Sequence, residues 1–178
     1  MSGWKPGDPK RDTASMVRVD QAGEYGATRI YAGQLAVLGD RSPAARAIAG
    51  MANQEERHCA FFDAMMARRS VRPTLLAPIW NVAGFALGAV TAALGPDAAM
   101  ACTAAVETEI DKHYEDQLVV LGDSDPELAE AIRDFQAEEV EHRETALAAG
   151  AENTPGYPLL SGLIRLGCKV AIATAKRI

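Results

Sequence analysis

Two glutamates in this sequence are each followed by a histidine three residues later. The pairs are Glu55 with His58 and Glu139 with His142, and they contain two of the three histidines of the chain. A spacing of three residues puts both side chains on one face of a helix. Carboxylate oxygens and imidazole nitrogens are ligands for divalent transition metals, so each pair could bind an ion through two residues.

An internal repeat places the two pairs at equivalent positions. Residues 34–40 read QLAVLGD and residues 117–123 read QLVVLGD, which gives an offset of 83. Carried backwards, this offset pairs Glu24 with Glu107. After one inserted residue the offset becomes 84, and it then brings the two Glu-x-x-His pairs into register. A duplicated half explains these matches.

The two halves together offer four glutamates and two histidines. One Glu from each of two helices, with Glu-x-x-His from each of two others, is typical of the di-iron or di-manganese carboxylate bundle. Burial of so many ionisable groups requires compensating cations. We predict that the metal ligands are Glu24, Glu55, His58, Glu107, Glu139 and His142. The repeat symmetry further predicts that Glu55 and Glu139 bridge two ions, with Glu24 and Glu107 terminal.

Other polar residues near these motifs have less specific patterns. Six neighbouring glutamates are expected to face solvent: Glu56, Glu109, Glu115, Glu138, Glu141 and Glu144. His113 lies off the helix face of Glu107, which favours a surface position or an indirect role. Tyr31 and Tyr114 are expected to pack in the core with hydrogen-bonded hydroxyl groups, although Tyr114 could instead relay electrons or hold substrate.

Six helical segments must position these residues. Apolar spacing and capping residues predict four long helices at roughly 15–39, 43–70, 97–121 and 126–149. A more apolar segment follows each helix pair. The first, 75–94, has no charge over twenty residues; the second, 159–178, is amphipathic; and 150–158 is predicted to be a loop.

Strand signals are weak throughout the chain. We therefore predict an all-α fold: a ferritin-like four-helix bundle built from a duplicated helix hairpin, with an additional apolar helix after each half. Residues 1–14 are expected to form a flexible N-terminus, and 15–178 a single di-iron domain with repeats at about 15–95 and 97–178.

Composition limits the classes of function. The chain has 178 residues, of which 48% are hydrophobic, and a net charge of −6, which argues against nucleic acid as a partner. Three widely spaced cysteines make no disulfide framework, and Cys59 and Cys102 are expected to be small core residues. The first residues lack an apolar signal segment, so we expect neither a secretory signal nor a transit peptide.

The apolar segment 75–94 leaves two alternatives open. It either lies on one leaflet of a membrane or is a buried connecting helix. A single span is disfavoured, because it would separate the repeats that must meet at the metals. Basic residues that suit anionic lipid headgroups precede the segment: Arg68, Arg69 and Arg72. Within it, the motif Gly84-x-x-x-Gly88 is a weak signal for a helix contact.

Five stretches carry a resemblance to a known family: VRVDQAGEYGATRIYAGQLAVLG, NQEERH, RPTLLAPIWNVAGFALGA, AMACTAAVETEIDKHYEDQL and FQAEEVEHRE. They resemble the demethoxyubiquinone hydroxylases, the di-iron monooxygenases of ubiquinone biosynthesis, from about Val17 to Ile178. The metal-binding residues of that family fall on the same six positions. The family also carries a His-Tyr pair, here His113 and Tyr114, for which an electron-relay role is proposed.

The resemblance implies an O₂-dependent hydroxylation that uses two iron ions. One oxygen atom enters the ring of a 2-polyprenyl-3-methyl-6-methoxy-1,4-benzoquinol, and the other leaves as water. The resemblance implies that electrons come from NADH. Because the sequence has no G-x-G-x-x-G dinucleotide motif, any contact with the nicotinamide would be shallow, or a reductase would mediate the transfer. The resemblance also implies a peripheral position on the cytoplasmic face of the bacterial inner membrane. An accessory protein of ubiquinone biosynthesis and a homo-oligomer remain open.

Three alternatives share part of this pattern. A ferritin-like iron-storage or ferroxidase protein has the same ligands, but a soluble cage subunit does not need a twenty-residue uncharged segment. A peroxidase of the rubrerythrin type usually carries a Cys-x-x-Cys module, which this sequence lacks. A metal-free lipid-binding scaffold would be distinguished by metal analysis.

Overall fold

The computed structural model describes residues 12–40 and 42–177, and helices account for most of them. The α-helices are α1 (Thr13–Leu38), α2 (Pro43–Arg69), α3 (Ala77–Ala93), α4 (Pro96–Leu121), α5 (Pro126–Ala148) and α6 (Tyr157–Ala175). Strands are absent from these two ranges. The predicted all-α class is therefore confirmed, while the ferritin-like duplicated arrangement remains a proposal.

The ends of the four long helices lie within two residues of their predicted limits. Ser42 and Asp125 cap α2 and α5, because their side chains accept hydrogen bonds from the backbone N–H groups of Ala45 and Leu128 at 3.0 and 3.2 Å. Gly39 ends α1 with a φ of 69°, a conformation that favours glycine.

The loop prediction for 150–158 is partly wrong. A short 3₁₀-helix occupies Ala151–Asn153, and α6 begins at Tyr157. Pro158 stands in the first turn of α6, where its missing N–H costs no helical hydrogen bond. Of the predicted flexible segment, residues 1–11 lie outside the described residues, and α1 already begins at Thr13.

The helices α1 and α4 lie at the centre of the bundle. The first packs against α2 and α3, the second against α5 and α6, and the two also contact each other. The two largest apolar clusters of the interior contain Val17 and Tyr114, and Ala27 and Met100, respectively. Glu24 lies between Val17 and Ala27 on α1, which places it between the two clusters.

Glycines allow α3 to lie close to α1. A Cβ on Gly88 would lie 1.9 Å from the carbonyl oxygen of Ile30, and one on Gly33 would lie 2.1 Å from that of Phe85. A Cβ on Gly84 would lie 3.1 Å from the nearest α1 atoms. The Gly84-x-x-x-Gly88 motif is therefore a helix contact, as predicted.

The helices α3 and α6 each expose an apolar face. Their exposed side chains, with those just outside α3, are Leu75, Ile79, Val82, Phe85, Val90 and Leu94, then Leu159, Leu163, Leu166 and Val170. This exposure contradicts the alternative that 75–94 is a buried connecting helix. Among the described residues, α6 alone is long and apolar enough to cross a membrane, judged by length and composition only.

Two of the three arginines predicted to suit lipid headgroups bind protein carboxylates. Arg68 donates to Glu127 at 2.5 Å, and Arg69 binds both Asp125 and Glu127. These contacts join the end of α2 to the start of α5. Arg69 is the main cause of the lowered pKa of Asp125. Arg72 is exposed, and its backbone carbonyl accepts a hydrogen bond from Arg18.

Candidate metal centre

The six predicted ligands converge in the interior of the bundle, and each is at most 2% exposed. Their candidate ligand atoms form two groups, and within each group the atoms lie within 4.8 Å of one another. The groups are Glu24, Glu55, His58 and Glu139, and Glu55, Glu107, Glu139 and His142. Glu55 and Glu139 belong to both groups, which is the arrangement expected of bridging carboxylates. Metal binding itself remains a prediction.

Both histidines direct the same ring nitrogen towards the carboxylates. His58 Nδ1 lies 3.1 Å from Glu139 Oε1 and 3.4 Å from Glu24 Oε2. His142 Nδ1 lies 3.2 Å from Glu55 Oε1 and 3.1 Å from Glu139 Oε2. Nδ1 is therefore the atom that each histidine offers to a metal ion.

The other ring nitrogen of each histidine contacts a residue of the opposite half. His58 Nε2 lies 3.1 Å from Glu138 Oε2, and His142 Nε2 lies 2.8 Å from Gln54 Oε1. A proton donated from Nε2 leaves Nδ1 free for a metal and fixes the ring orientation. The expectation that Glu138 faces solvent is wrong, because it binds both His58 and Arg57. The offset of 84 pairs Gln54 with Glu138, and this signal could have identified both residues.

Two tyrosines cross between the halves to the terminal glutamates. Tyr31 Oη donates to Glu107 Oε1 at 2.6 Å, and Tyr114 Oη donates to Glu24 Oε1. Both tyrosines are 1% exposed, which agrees with core packing and a hydrogen-bonded hydroxyl. Burial, followed by the charge of the partner glutamate, raises the pKa of each tyrosine well above its usual value, so both hydroxyls stay protonated.

The electrostatics of the cluster favour bound cations. Burial and the neighbouring carboxylates, Glu139 first, raise the pKa values of Glu55 and Glu107 well above the usual range. Burial would raise the pKa of Glu139 too, but the nearby imidazoles of His142 and His58 lower it to about 2. Burial opposes the charge of His58, yet the nearby carboxylates of Glu139 and Glu24 raise its pKa to about 10.

Several buried atoms of the cluster have no hydrogen-bond partner. They are Glu24 Oε2, both oxygens of Glu55, His58 Nδ1, Glu107 Oε2 and Glu139 Oε1. An unsatisfied buried polar atom is costly, and a coordinated cation would satisfy these groups together. Carboxylate oxygens with imidazole nitrogens suit iron or manganese. The residues present therefore fit a two-metal site.

His113 lies beside this cluster in a separate buried network. Its Nε2 lies 3.2 Å from Asp20 Oδ1 and 2.8 Å from Gln117 Nε2, and Gln117 donates to the same Asp20 oxygen at 2.7 Å. His113 is 8% exposed, so the indirect role fits and the surface position does not. Burial raises the pKa of Asp20. Neither Asp20 nor Gln117 was among the predicted site residues, although Gln117 begins the repeated segment 117–123.

The expectation for Glu109 is also wrong. This residue is 4% exposed and accepts a hydrogen bond from Arg165 at 2.6 Å, with Lys112 and Lys169 each 3.8 Å away. Three cations compensate its buried charge, and two of them lie on α6. Glu109 therefore joins α6 to α4. The other four neighbouring glutamates are exposed as expected: Glu56, Glu115, Glu141 and Glu144.

The two cysteines singled out from the sequence differ in burial. Cys102 is fully buried, as predicted. Cys59 is only partly buried, which corrects the prediction for this residue. It follows His58 on α2, and one residue along a helix turns the side chain about 100° away from the interior.

An apolar cavity of about 460 Å³ lies between α1, α3, α4 and α6. Its lining includes Trp80 and Leu87 from α3, with Cys168 from α6. Val106 and Ile110 of α4 also line it, on either side of Glu107 in the sequence. Sequence neighbours of a candidate ligand therefore line the cavity, and its lining suits an apolar molecule.

Comparison with known proteins adds a family to this geometry. The sequence model of the family described as ubiquinone biosynthesis protein COQ7 matches residues 11–175. The 3-demethoxyubiquinol 3-hydroxylase of Rhodospirillum rubrum is 53% identical over 175 residues, which cover 97% of this chain and 82% of that protein. The mitochondrial NADPH-dependent 3-demethoxyubiquinone 3-hydroxylase of Mus musculus is 51% identical, with 91% and 76% covered. The mitochondrial 5-demethoxyubiquinone hydroxylase of Saccharomyces cerevisiae is 40% identical, with 92% and 77% covered.

Proposed function

Because the chain belongs to the COQ7 family of ubiquinone biosynthesis proteins, we propose that the six buried ligands form the active centre of a demethoxyubiquinol hydroxylase. The protein is an oxidoreductase that hydroxylates 3-demethoxyubiquinol in ubiquinone biosynthesis. The observation that carries the structural part of this proposal is a buried Glu/His cluster, together with an apolar cavity lined by Gly23 and Val106, the residues that precede Glu24 and Glu107.

We propose that the cluster holds two iron ions in a ferritin-like bundle with a duplicated hairpin. Bound iron would bind and reduce O₂, the co-substrate, and supply one oxygen atom to the ring. Glu55 and Glu139 would bridge the ions, because both belong to the two ligand groups. Glu24 and Glu107 would be terminal ligands, each held by one tyrosine.

The residues around the cluster restrict what can happen there. Gln54 and Glu138 hold the histidine rings, so that each Nδ1 stays directed towards the carboxylates. The apolar lining of the cavity excludes water from the reacting ring and accepts the first part of a polyprenyl tail. The enzyme therefore selects an apolar aromatic substrate by burial rather than by a polar pocket.

We propose a nicotinamide nucleotide, used directly or through a reductase, as the electron source. Several relatives are named NADPH-dependent hydroxylases. Tyr114 contacts the ligand Glu24, and the ring of its neighbour His113 lies 6.2 Å from the Tyr114 ring. His113 and Tyr114 are our candidates for a relay to the centre.

We propose that the protein binds the cytoplasmic face of the bacterial inner membrane as a peripheral protein. The exposed apolar faces of α3 and α6 flank the cavity, so a substrate tail could remain in the bilayer while its ring enters. Lys176 and Arg177 at the end of α6 are exposed and would attract anionic headgroups. Where the protein forms complexes, an accessory protein or a second copy would cover part of these faces.

The function is tested by lipid analysis of cells that lack the protein. We expect them to accumulate demethoxyubiquinone and to lose ubiquinone. Expression of the wild-type chain should restore ubiquinone, whereas Glu139→Ala should not, because Glu139 belongs to both ligand groups. Normal ubiquinone in the deletion strain, or full rescue by Glu139→Ala, would contradict the proposal.

A further inference from the structure

The glycines within the helices differ in what an added Cβ would meet. At Gly33 and Gly88 it would collide with the backbone of a neighbouring helix. At Gly23, Gly26 and Gly167 it would meet no atom within 4 Å, yet all three residues line the apolar cavity. Helix packing therefore explains the first set and does not explain the second.

The backbone does not require glycine at the three cavity positions either. Gly23 and Gly26 lie within α1 and Gly167 within α6, and none of them has the positive φ that favours glycine. Glycine in a helix interior is less stable than alanine or leucine at the same position. At these three positions the missing side chains leave open space in the cavity.

The internal repeat shows where this space comes from. On α3, Gly84 and Gly88 seat the helix against α1. The offset of 84 places Cys168 and Ile172 at the equivalent positions of α6. The offset of 83 places Glu109 at the position equivalent to Gly26. Larger side chains thus replace glycines in the second half. Cys168 and Ile172 line the cavity, and both also pack against apolar side chains of neighbouring helices.

Two of the three cavity glycines also lie close in sequence to a candidate metal ligand. Gly23 precedes Glu24 and Gly26 follows it by two residues, so the α1 wall of the cavity runs past a candidate terminal ligand. Val106 provides the same proximity on α4, because it precedes Glu107. These residues mark the part of the cavity that is closest in sequence to the candidate ligands.

We propose that Gly23, Gly26 and Gly167 determine substrate specificity by leaving room for the substituted quinol ring and the first unit of its tail. The inference rests on the proposed function, since the occupant is that enzyme's substrate. A side chain at any of these positions would enter space that the ring needs. The three glycines therefore lower the stability of the helices and permit substrate binding.

The test uses leucine at each cavity glycine, with Gly50→Leu and Gly162→Leu as matched controls. Both control glycines are helical, have no atom within 4 Å of an added Cβ, and do not line the cavity. Binding is followed in a Trp4→Phe background through quenching of Trp80, which lines the cavity, by a short-tailed 2-alkyl-3-methyl-6-methoxy-1,4-benzoquinone. The KM for the corresponding quinol and the melting temperature are measured on the iron-loaded protein.

We expect at least a tenfold rise in Kd and KM for the three cavity variants and no change for the controls. All variants that fold should keep the wild-type Tm or exceed it by about 2–4 °C, because leucine is the better helix former. Should a leucine variant fail to fold, the alanine variant at that position should still raise Kd by a smaller factor.

Unchanged Kd in the cavity variants, or equal losses in the controls, would overturn the inference. Failure of the wild type to bind the quinone would overturn it as well. If the wild type binds the quinone but does not hydroxylate the quinol, and the cavity variants bind it more weakly, the glycine assignment stands and the proposed function fails.

Discussion

Tyr31 donates a hydrogen bond to Glu107 at 2.6 Å, across the boundary between the two halves of the repeat. The equivalent residue, Tyr114, donates to Glu24 in the opposite direction. The two contacts are related by the offset of 83, and each ties a terminal ligand candidate of one half to the other half. This pairing provides an internal control for any role of tyrosine beyond structure.

Tyr114→Phe and Tyr31→Phe should differ in turnover if Tyr114 acts in a relay. Each change removes one hydrogen bond to a terminal glutamate, so both should retain iron and show a similar small loss of stability, about 1 kcal/mol. We expect turnover to fall at least tenfold only in Tyr114→Phe. Single-turnover reduction of the bound iron by a nicotinamide donor is the measurement, and equal rates in both variants would return Tyr114 to a structural role.

Glu138→Ala should weaken metal binding although Glu138 is not among the ligand candidates. It holds His58 Nε2 at 3.1 Å, and loss of such a partner typically costs 10–100-fold in metal affinity. Glu141→Ala is the control, because Glu141 lies on the same helix and is exposed. Competition with a chelator measures the affinity. The same affinity in both variants would show that Glu138 does not support the site.

The metal-free protein should become less stable as pH rises from 5 to 8. Glu55 and Glu107 have pKa values raised above the usual 4.5, so their contribution is present below 4.5 and is lost as pH rises through the raised values. The pKa of His58 is raised from 6.5 to about 10, so this residue also lowers the stability as pH rises above 6.5. The pKa of Glu139 is lowered to about 2, so this residue changes the stability only below pH 4.5.

Calorimetry on metal-free and iron-loaded protein measures this dependence. Each carboxyl group that stays protonated only in the folded protein lowers the free energy of unfolding by about 1.4 kcal/mol per pH unit as pH rises. Bound cations replace those protons, so the iron-loaded protein should show a weaker dependence and a higher Tm at pH 8. A metal-free Tm that rises between pH 5 and 8 would contradict the account of the cluster.

Much of the centre could be predicted from the sequence because the repeat doubles every signal. The pairing of Glu55-His58 with Glu139-His142 and of Glu24 with Glu107 identified all six residues that converge. Hydropathy could not predict the positions of Glu138 and Glu109, because these depend on cations and a histidine from other helices. The burial of Asp20 likewise depends on another helix, because its partners lie about two and three turns after Glu107 on α4.

The cavity could not be predicted from periodicity either. It depends on whether α3 and α6 seat closely on their neighbours, and a few side chains decide this. Gly88 permits contact with the α1 backbone, whereas Ile172 at the equivalent position lines open space. A pattern of apolar residues does not distinguish these two outcomes.

Val82→Glu and Leu163→Glu should weaken membrane binding. Val82 and Leu163 are 71% and 60% exposed on α3 and α6, so a charge there leaves the fold intact but opposes insertion. Val119→Glu is the control, because Val119 is 79% exposed on α4. The fraction of protein that co-sediments with anionic vesicles should fall by at least half for each α3 or α6 variant and stay unchanged for the control. Trp80 and Leu87 are unsuitable for this test, because both line the cavity.

Vesicle binding should also determine how turnover depends on the length of the substrate's tail. Val82→Glu should slow turnover of a long-tailed quinol while leaving a short-tailed, water-soluble analogue unaffected. Equal losses on both substrates would mean that α3 shapes the cavity rather than the membrane contact.

The most direct test of oxygen insertion at the buried cluster uses the protein loaded with ferrous iron, a short-tailed demethoxyquinol, a reductant and ¹⁸O₂. Mass spectrometry of the product should show one ¹⁸O atom in the new ring hydroxyl, with about two iron ions bound per chain. His142→Ala should remain helical but lose iron and product. Product that carries oxygen from water, or labelled product formed by His142→Ala without iron, would contradict the account.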